Sequence, residues 1–445
     1  MEEKHSLVRE PTTAHTSHGR VAIVGGGVTG ALTAARLAER GFEVVLLEKA
    51  AIGNGSSSRS MAGIRAQFGV EETVVGMLFS EWWYANFHDL LATPRALRQP
   101  VLRQNGYLFL YDDPSAANAA PDARGHWARA QASVAMQQRV GLAVELLDAA
   151  DIRRRWPHLA AERLCGATWC PTDGFLFPPV IYGEGVRRAE ELGARILQRT
   201  AVLGARRHNG RIVALETTGG LVETDWVVNC TNAWAARTSP LLGGMPLPIG
   251  PVKRFLYYLD PGRAVLPAEE WQRLPMTIYG MGRPLGAHTR PEGQHLVLAG
   301  MSRTPSEPAF EDEDQDLVPA AFDHRHGVDN FGFQLLADMA LYAPTLVESG
   351  GLVATTCGYY GMTPDGVPLI GFDRAVPNLV HAAGFSGHGV MHAPISALLV
   401  EAQVAGDAVG GQVRLPPPFE SHCLDLRAFD PGRGFSRSIA ETAVL

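Results

Sequence analysis

The chain has 445 residues, 46% hydrophobic and 19% charged, so it can bury a sizeable core and form two or three domains. Its formal net charge of −7 argues against nucleic acid as a partner, because phosphate binding depends on clustered Lys and Arg. Every apolar run is too short for a membrane span, and the five scattered cysteines favour a reduced, cytoplasmic protein over a disulfide framework.

The first structured unit that the sequence predicts is a strand–helix–strand. Residues 1–19 before it are polar and lack the apolar core of a signal peptide, so we expect a disordered leader. Residues 21–24 form a short apolar strand, and Gly25 to Gly30 form a glycine-rich turn that opens a helix of small apolar residues. A second apolar strand over 42–47 then ends at Glu48.

This unit carries a dinucleotide-binding fingerprint. Gly25 permits a tight turn, Gly27 lets the backbone approach a pyrophosphate, and Gly30 lets the helix pack closely on the sheet. The free N–H groups at the helix start favour phosphate, and Glu48 is placed to accept the hydroxyls of an adenosine ribose. The unit alone does not choose between FAD and NAD. Its expected cofactor contacts are Gly25, Gly27, Val28, Thr29, Gly30, Glu48 and Lys49.

The remaining pattern predicts a second, largely antiparallel sheet. Helices are expected over 71–92 and 119–140, with a third ending near 193. Strands are expected over 106–111, 143–147, 195–200, 211–217, 224–229, 252–259 and 294–300, with a Gly219-Gly220 hairpin turn between 211–217 and 224–229.

Four separated segments resemble the superfamily of D-amino-acid oxidase, sarcosine oxidase and glycine oxidase. They are the unit above, the loop 55–68, the strand and turn 225–234, and the run 362–389, which ends in Gly384-Phe-Ser-Gly-His-Gly389. The order and spacing are those of the family from residue 21 to about 409. The resemblance implies FAD and an α/β fold: a Rossmann-like FAD-binding domain of the glutathione-reductase type, with an α+β substrate domain built on an antiparallel sheet.

The resemblance also implies domain boundaries and further cofactor contacts. We expect a discontinuous FAD-binding domain over 20–100, 160–250 and 350–415, a substrate domain over 101–159 and 251–349, and a C-terminal tail over 416–445. The helix start at Gly389 is expected to face the C2=O side of the flavin, where the reduced ring carries negative charge. The further expected contacts are Ser56, Ser57, Ser58, Arg59, Ala62, Gly63, Ile64, Val202, Thr231, Trp234, Cys357, Gly384, Ser386, Gly387, His388 and Gly389.

The family chemistry is the oxidation of a C–N bond. The resemblance implies that an amino acid, N-alkyl amino acid or related amine gives a hydride to flavin N5, forming an imine, and that oxygen or another acceptor reoxidises the flavin. Two alternatives remain open: a tailoring oxidase acting on a larger specialised metabolite, and a flavin subunit of a multi-protein dehydrogenase. A carboxylate substrate needs a cationic clamp, for which Arg is suited. The candidate substrate-site residues are Arg65, Arg254, His288, Arg290 and His388.

Two positions depart from the family pattern. Monomeric sarcosine oxidases carry a lysine two residues after the Gly-His-Gly turn, where it helps hold the substrate carboxylate; here Met391 occupies that position. They also tether FAD through a cysteine, and Cys357 lies one residue upstream of the corresponding position. Because Gly358 fits the non-covalent members equally well, we predict FAD that is bound without a covalent link.

Overall fold

A computed structural model describes residues 18–262, 266–302, 315–327 and 330–435. Most of the predicted leader, residues 1–17, lies outside these ranges. The strands are β1 (Arg20–Val24), β2 (Glu43–Leu47), β3 (Gly63–Ile64), β4 (Leu102–Arg103), β5 (Tyr107–Asp112), β6 (Glu145–Leu147), β7 (Leu164–Cys170), β8 (Gly174–Leu176), β9 (Arg195–Leu197), β10 (Val202–His208), β11 (Arg211–Thr217), β12 (Gly220–Glu223), β13 (Trp226–Asn229), β14 (Gly250–Asp260), β15 (Met276–Ile278), β16 (Ala287–Glu292), β17 (Leu296–Met301), β18 (Gly351–Met362), β19 (Leu369–Phe372), β20 (Leu379–Ala383), β21 (Gln412–Arg414) and β22 (Cys423–Asp425).

The predicted helices are present, together with others. The helices are α1 (Val28–Glu39), α2 (Glu71–Ala85), α3 (Phe87–Leu90), α4 (Ala123–Arg139), α5 (Ala149–Arg155), α6 (Pro178–Glu191), α7 (Ala235–Leu241), α8 (Ala268–Gln272), α9 (Phe331–Ala340) and α10 (Gly389–Ala405). Of these, α5, α7, α8 and α9 are additional to the predicted helices. Short 3-10 turns cover Ser56–Ser58, Arg95–Leu97, Ala161–Arg163, Asn232–Trp234, Pro344–Leu346 and Leu426–Ala428.

A six-stranded sheet forms the centre of the predicted cofactor domain. Its order is β19-β20-β13-β1-β2-β9, parallel except for β19. Alternate residues of β1 face opposite sides, as the period of two in a strand requires. Val21 and Ile23 pack towards α1, α6 and α10, whereas Ala22 and Val24 pack towards the antiparallel sheet β10-β11-β12. Both faces are therefore covered, which explains why the strand is apolar throughout.

An eight-stranded sheet forms the second large sheet of the protein. Its order is β18-β14-β17-β16-β15-β5-β7-β6, antiparallel except where β15 pairs with β5. One face packs on α5 and α9. On this face Phe255 of β14 stacks on Phe322, with 3.9 Å between the ring centroids. The other face contributes Tyr107, Met276 and Leu256 to a smaller apolar cluster. The two sheets confirm the predicted fold class.

The sheet pairing corrects one expectation. The Gly219-Gly220 turn joins β11 to β12, so it does not form a hairpin between 211–217 and 224–229. The strand expected over 224–229 is present as β13, which runs parallel to β1. β7 pairs with β5, and β18 pairs with β14 along its whole length, so 164–170 and 351–362 belong to the eight-stranded sheet.

The segment predicted as a tail packs onto the fold as far as residue 435. β22 pairs with β21, and Leu424 and Phe429 are buried in the main core. Arg433 forms a buried ion pair with Asp365, with 2.8 Å between Nη2 and Oδ1. Residues 436–445 lie outside the described ranges.

Several features that would change the class of protein are not found in the described part of the chain. The five cysteines are all unpaired thiols. The described residues contain no group of His, Cys, Asp and Glu able to hold a metal ion. No helix among them has the length and apolar character needed to cross a membrane.

The contact between α1 and the end of β1 leads to a stability prediction. A Cβ on Gly30 would lie 1.9 Å from the carbonyl oxygen of Gly25, so Gly30→Ala should destabilise the fold by roughly 1–3 kcal/mol. A Cβ on Gly183, within α6, would have no other atom within 4 Å. Gly183→Ala is the matched control and should stabilise by about 0.5–1 kcal/mol through helix propensity. Urea unfolding followed by circular dichroism measures both, and equal effects would contradict the proposed close contact.

Candidate functional site

A cavity of about 350 Å³ opens at the carboxyl end of β1 and β2. This is the edge at which parallel α/β sheets bind ligands. Its walls also include the Ser56–Ser58 turn, the start of β10, the Asn232–Trp234 turn, part of β18 and the start of α10. The predicted contacts that line it are Gly25, Gly27, Val28, Thr29, Glu48, Lys49, Ser56, Ser57, Arg59, Val202, Thr231, Trp234, Gly387 and Gly389.

The N-terminus of α1 faces this cavity. Gly27 is the residue that precedes the helix, and the Val28 N–H donates to Ser57 Oγ at 3.1 Å, which joins the glycine turn to the following loop. A Cβ on Gly27 would lie 2.9 Å from the same hydroxyl, so a larger residue would have to displace Ser57 Oγ from the Val28 N–H. The positive end of the helix dipole and the narrow backbone together suit a pyrophosphate.

Glu48 is held at the rim by two backbone groups. Its Oε2 accepts from the Gly26 N–H and its Oε1 from the Ala50 N–H, both at 2.8 Å. The half-buried carboxylate keeps lone pairs that can accept the hydroxyls of a ribose. Nearby, the Lys49 ammonium lies 5.1 Å from the centroid of the Trp234 ring.

The turn before α10 closes the other end of the cavity. Gly387 has φ +88°, and a Cβ there would lie 2.4 Å from the Tyr360 ring, so only glycine fits. Asn232 Oδ1 accepts from the backbone N–H groups of Gly384 and Phe385, each at 3.2 Å. The 17-residue helix therefore starts beside the cavity with its positive end towards it.

A second, smaller cavity of about 40 Å³ adjoins the first. The two share four lining residues: Ser60, Tyr360, Gly387 and Val390. The small cavity lies between the start of α10 and the strands β5, β15 and β16. Its other lining residues are Met61, Ala62, Gly63, Tyr107, Met276, His288, His388 and Met391.

Arg65 and His388 form a buried pair beside the small cavity. Arg65 is 0% exposed; its Nη1 donates to the Gln67 carbonyl at 2.5 Å and its Nη2 to His388 Nε2 at 3.1 Å. Because a guanidinium can only donate, His388 Nε2 accepts, and a neutral ring carries its proton on Nδ1. Burial holds the pKa of His388 well below its usual range, and the charges of Arg65 and His392 lower it further. His388 is therefore neutral at pH 7.

The other substrate-site candidates separate into two groups. His288 lines the small cavity, and its Nδ1 is 2.9 Å from the Gly286 carbonyl oxygen. Burial lowers the pKa of His288 to about 4, so this ring is also neutral. Like Arg65, Arg254 and Arg290 line neither cavity: Arg254 lies 5.6 Å from the centroid of the Tyr360 ring, while Arg290 Nε donates to the Met61 carbonyl at 2.8 Å. Both therefore contact residues that line the small cavity, Tyr360 and Met61.

Some of the predicted cofactor contacts do not line either cavity. Ser386 Oγ accepts from the Thr363 N–H at 3.1 Å and so fixes the turn from within. The thiol of Cys357 lies 3.4 Å from the Gln315 carbonyl oxygen, and burial raises its pKa. Neither cavity is lined by Gly30, Ser58, Ile64, Cys357, Gly384 or Ser386, whereas Ala62, Gly63 and His388 line the small one.

Other lining residues were not predicted. Thr200 and Ala201 precede Val202, and Asn232 lies within the segment 225–234, so the sequence carried a local signal for these three. Arg237 and Thr238 reach the cavity from α7, and Tyr107 and Met276 meet through the pairing of β5 with β15. Such contacts depend on the tertiary arrangement, which has no local signature.

Comparison with known proteins agrees with this geometry. A sequence model of the family described as DAO, FAD dependent oxidoreductase, matches residues 20–403. Glycine oxidase of Geobacillus kaustophilus is 28% identical over 385 residues, covering 85% of this chain and 91% of that protein. Mitochondrial sarcosine dehydrogenase of Mus musculus is 24% identical over 392 residues, covering 86% and 39%. The crystal structure of L-proline dehydrogenase from P. horikoshii superposes with a TM-score of 0.75 and 26% identity, covering 93% and 97%.

The position of Glu48 predicts its effect on cofactor retention. Glu48→Lys places an ammonium group against two backbone donors and removes the acceptor of the ribose hydroxyls, so FAD should no longer copurify. Glu43→Lys, at the exposed opposite end of β2, is the control with the same change of charge and should remain yellow. The ratio of absorbance at the flavin band to protein absorbance reports both. Full flavin occupancy in Glu48→Lys would show that the ribose is bound elsewhere.

Proposed function

The chain belongs to the DAO family of FAD-dependent oxidoreductases, and from this premise we propose that it oxidises the C–N bond of a small amino acid, N-alkyl amino acid or related amine. The observation that carries the proposal is the small cavity beside the start of α10. It adjoins the cofactor cavity and has neutral imidazoles and thioethers in its wall. The similar proteins named above act, by their names, on glycine, sarcosine and L-proline, which are all small amino acids.

The residues of the large cavity fit FAD along its length. Glu48 would hold the adenosine ribose, the Gly25–Gly30 turn and the start of α1 the pyrophosphate, and the start of α10 the flavin ring. Bound there, FAD supplies an acceptor for the hydride of the carbon that bears the amine. Tyr360 and Gly387, which line both cavities, would stand where flavin and substrate meet.

The small cavity would keep the substrate amine neutral and dry. Its lining in the described chain includes no carboxylate, and His288 and His388 are uncharged at pH 7. Met61, Met276 and Met391 surround the space with apolar, adaptable side chains that exclude water. The small cavity is much narrower than the cofactor cavity, which favours a small substrate over the larger metabolite of the tailoring alternative.

Arg65 is the best candidate for the carboxylate clamp. Its guanidinium contacts His388, which lines the small cavity, and a fork of N–H groups can bind a carboxylate through two bonds. Arg254 and Arg290 would support the site from behind: the first packs over Tyr360 and the second holds the Met61 carbonyl.

Anaerobic reduction of the purified flavoprotein tests the function and the clamp together. We expect glycine, sarcosine, proline or a related small amine to bleach the flavin of the isolated chain. Arg65→Met should slow reduction roughly 100-fold through loss of a bidentate charged contact, with smaller effects for Arg254→Met and Arg290→Met. Arg283→Met, which breaks a buried ion pair with Asp338 outside both cavities, is the matched control. An unreduced flavin with every amine would contradict the proposed function and favour a subunit that needs partner proteins.

The environment of Cys357 predicts that FAD is released on denaturation. Its thiol lies against the backbone carbonyl of Gln315, and Cys357 does not line the cofactor cavity. Acid or heat should therefore free all the flavin, and Cys357→Ser should retain normal flavin content. Fluorescence of the protein band after denaturing electrophoresis measures the linkage. A band that is fluorescent in the wild type and dark in Cys357→Ser would establish a covalent tether at this residue.

A further inference from the structure

Two buried carboxyl groups lie behind Arg65. Glu81 comes from α2 and Asp173 from the turn between β7 and β8, and they are only 5% and 0% exposed. They lie close enough for each to shift the pKa of the other, and burial raises the pKa of both. Burial raises the pKa of Glu81 well above its usual range, and the neighbouring charge of Asp173 raises it further. The proton of the pair therefore stays on Glu81, which donates, while Asp173 accepts.

Asp173 fixes the turn that follows Arg65. Its Oδ1 accepts from the Ala66 N–H at 3.1 Å, and its Oδ2 accepts from Gln67 Nε2 at 2.8 Å. The Gln67 amide also donates to the Tyr107 carbonyl on β5, at 3.0 Å. Backbone and side chain of the turn are thus held by one carboxylate.

This turn orients the Arg65 side chain. The guanidinium donates to the carbonyl of Gln67, the residue that Asp173 holds, and reaches His388 with its other arm. It also lies over the Phe68 ring, 3.9 Å from the centroid. The charges of Arg65 and Asp173 act in opposite directions on the pKa of the Tyr107 hydroxyl, so the cation and the anion lie near the same ring.

We propose that Asp173 is a positioning residue for the substrate carboxylate: through Ala66 and Gln67 it holds the Arg65 guanidinium against His388, which lines the small cavity, and Glu81 keeps Asp173 in place by donating a hydrogen bond. This inference rests on the proposed function. The oxidation step itself needs neither carboxyl group, and neither lines a cavity. Their effect would pass through the orientation of Arg65.

Carboxylate binding to the FAD-loaded enzyme tests the inference without turnover. Acetate is the probe, and its dissociation constant is measured by calorimetry and by the change in the flavin spectrum. Asp173→Asn replaces the carboxylate oxygen that accepts from Gln67 Nε2 with an amide NH2 group, which cannot accept. The dissociation constant of acetate should therefore rise roughly tenfold or more. Asp338→Asn removes a different buried carboxylate, the partner of Arg283, and should leave acetate binding unchanged.

Two variants of Glu81 isolate its role as a donor. Glu81→Gln keeps an N–H that can donate to Asp173, so acetate binding should stay within about twofold of the wild type. Glu81→Leu fills similar space without a donor and should weaken acetate binding as Asp173→Asn does. If Asp173→Asn fails to load FAD, this pair makes the same comparison, and equal binding by the two Glu81 variants would overturn the proposal.

Kinetics separate positioning from a general loss of structure. For an amino acid that reduces the flavin, Asp173→Asn should raise KM more than it lowers kcat, and it should reduce the preference for the acid over its uncharged amide. Equal losses on acid and amide, with unchanged acetate affinity, would show that the pair only stabilises the fold. An unreduced wild-type flavin would contradict the proposed function, while the dependence of acetate binding on Asp173 would still decide the positioning role.

Discussion

The burial of the Arg65 guanidinium between β5 and the start of α10 is the constraint around which the site is organised. A charged group without solvent costs several kcal/mol unless partners replace its hydration. Here the partners are the Gln67 carbonyl, the imidazole of His388 and the face of Phe68. Because Arg65 donates to His388, the imidazole is held neutral with Nε2 as an acceptor, and the start of α10 is tied to the loop after β3.

The two sheets contribute different parts of the site. The six-stranded sheet presents the glycine turn and Glu48 at the carboxyl ends of β1 and β2, where the dipole of α1 adds positive potential. The eight-stranded sheet supplies Tyr107, Met276 and His288, which close the small cavity from the opposite side. Tyr360, on β18, lies at the boundary of both cavities. The proposed hydride transfer needs donor and acceptor in contact and aligned, which the junction of the two cavities would allow.

The sequence predicted the parts of this arrangement that have local signatures. The glycine turn and Glu48 were found because a strand, a tight turn and a helix follow one another within 28 residues, and the run 384–389 because its glycines have a recognisable spacing. The pairing of β7 with β5 and of β18 with β14 has no local signature, because it joins distant segments. Glu81 and Asp173 gave no signal, since a lone acidic residue in a sequence is most often solvated. The pair exists only when α2 packs beneath the turn after β7.

The central claim is that Arg65 holds the substrate carboxylate beside the flavin. A crystal structure of the FAD-loaded protein with bound acetate, a carboxylate that cannot be oxidised at a C–N bond, tests it most directly. The account predicts both acetate oxygens within hydrogen-bond distance of the Arg65 guanidinium, with the methyl group in the small cavity facing the flavin. Acetate bound instead to Arg254 or Arg290, with neither oxygen within hydrogen-bond distance of Arg65, would contradict it.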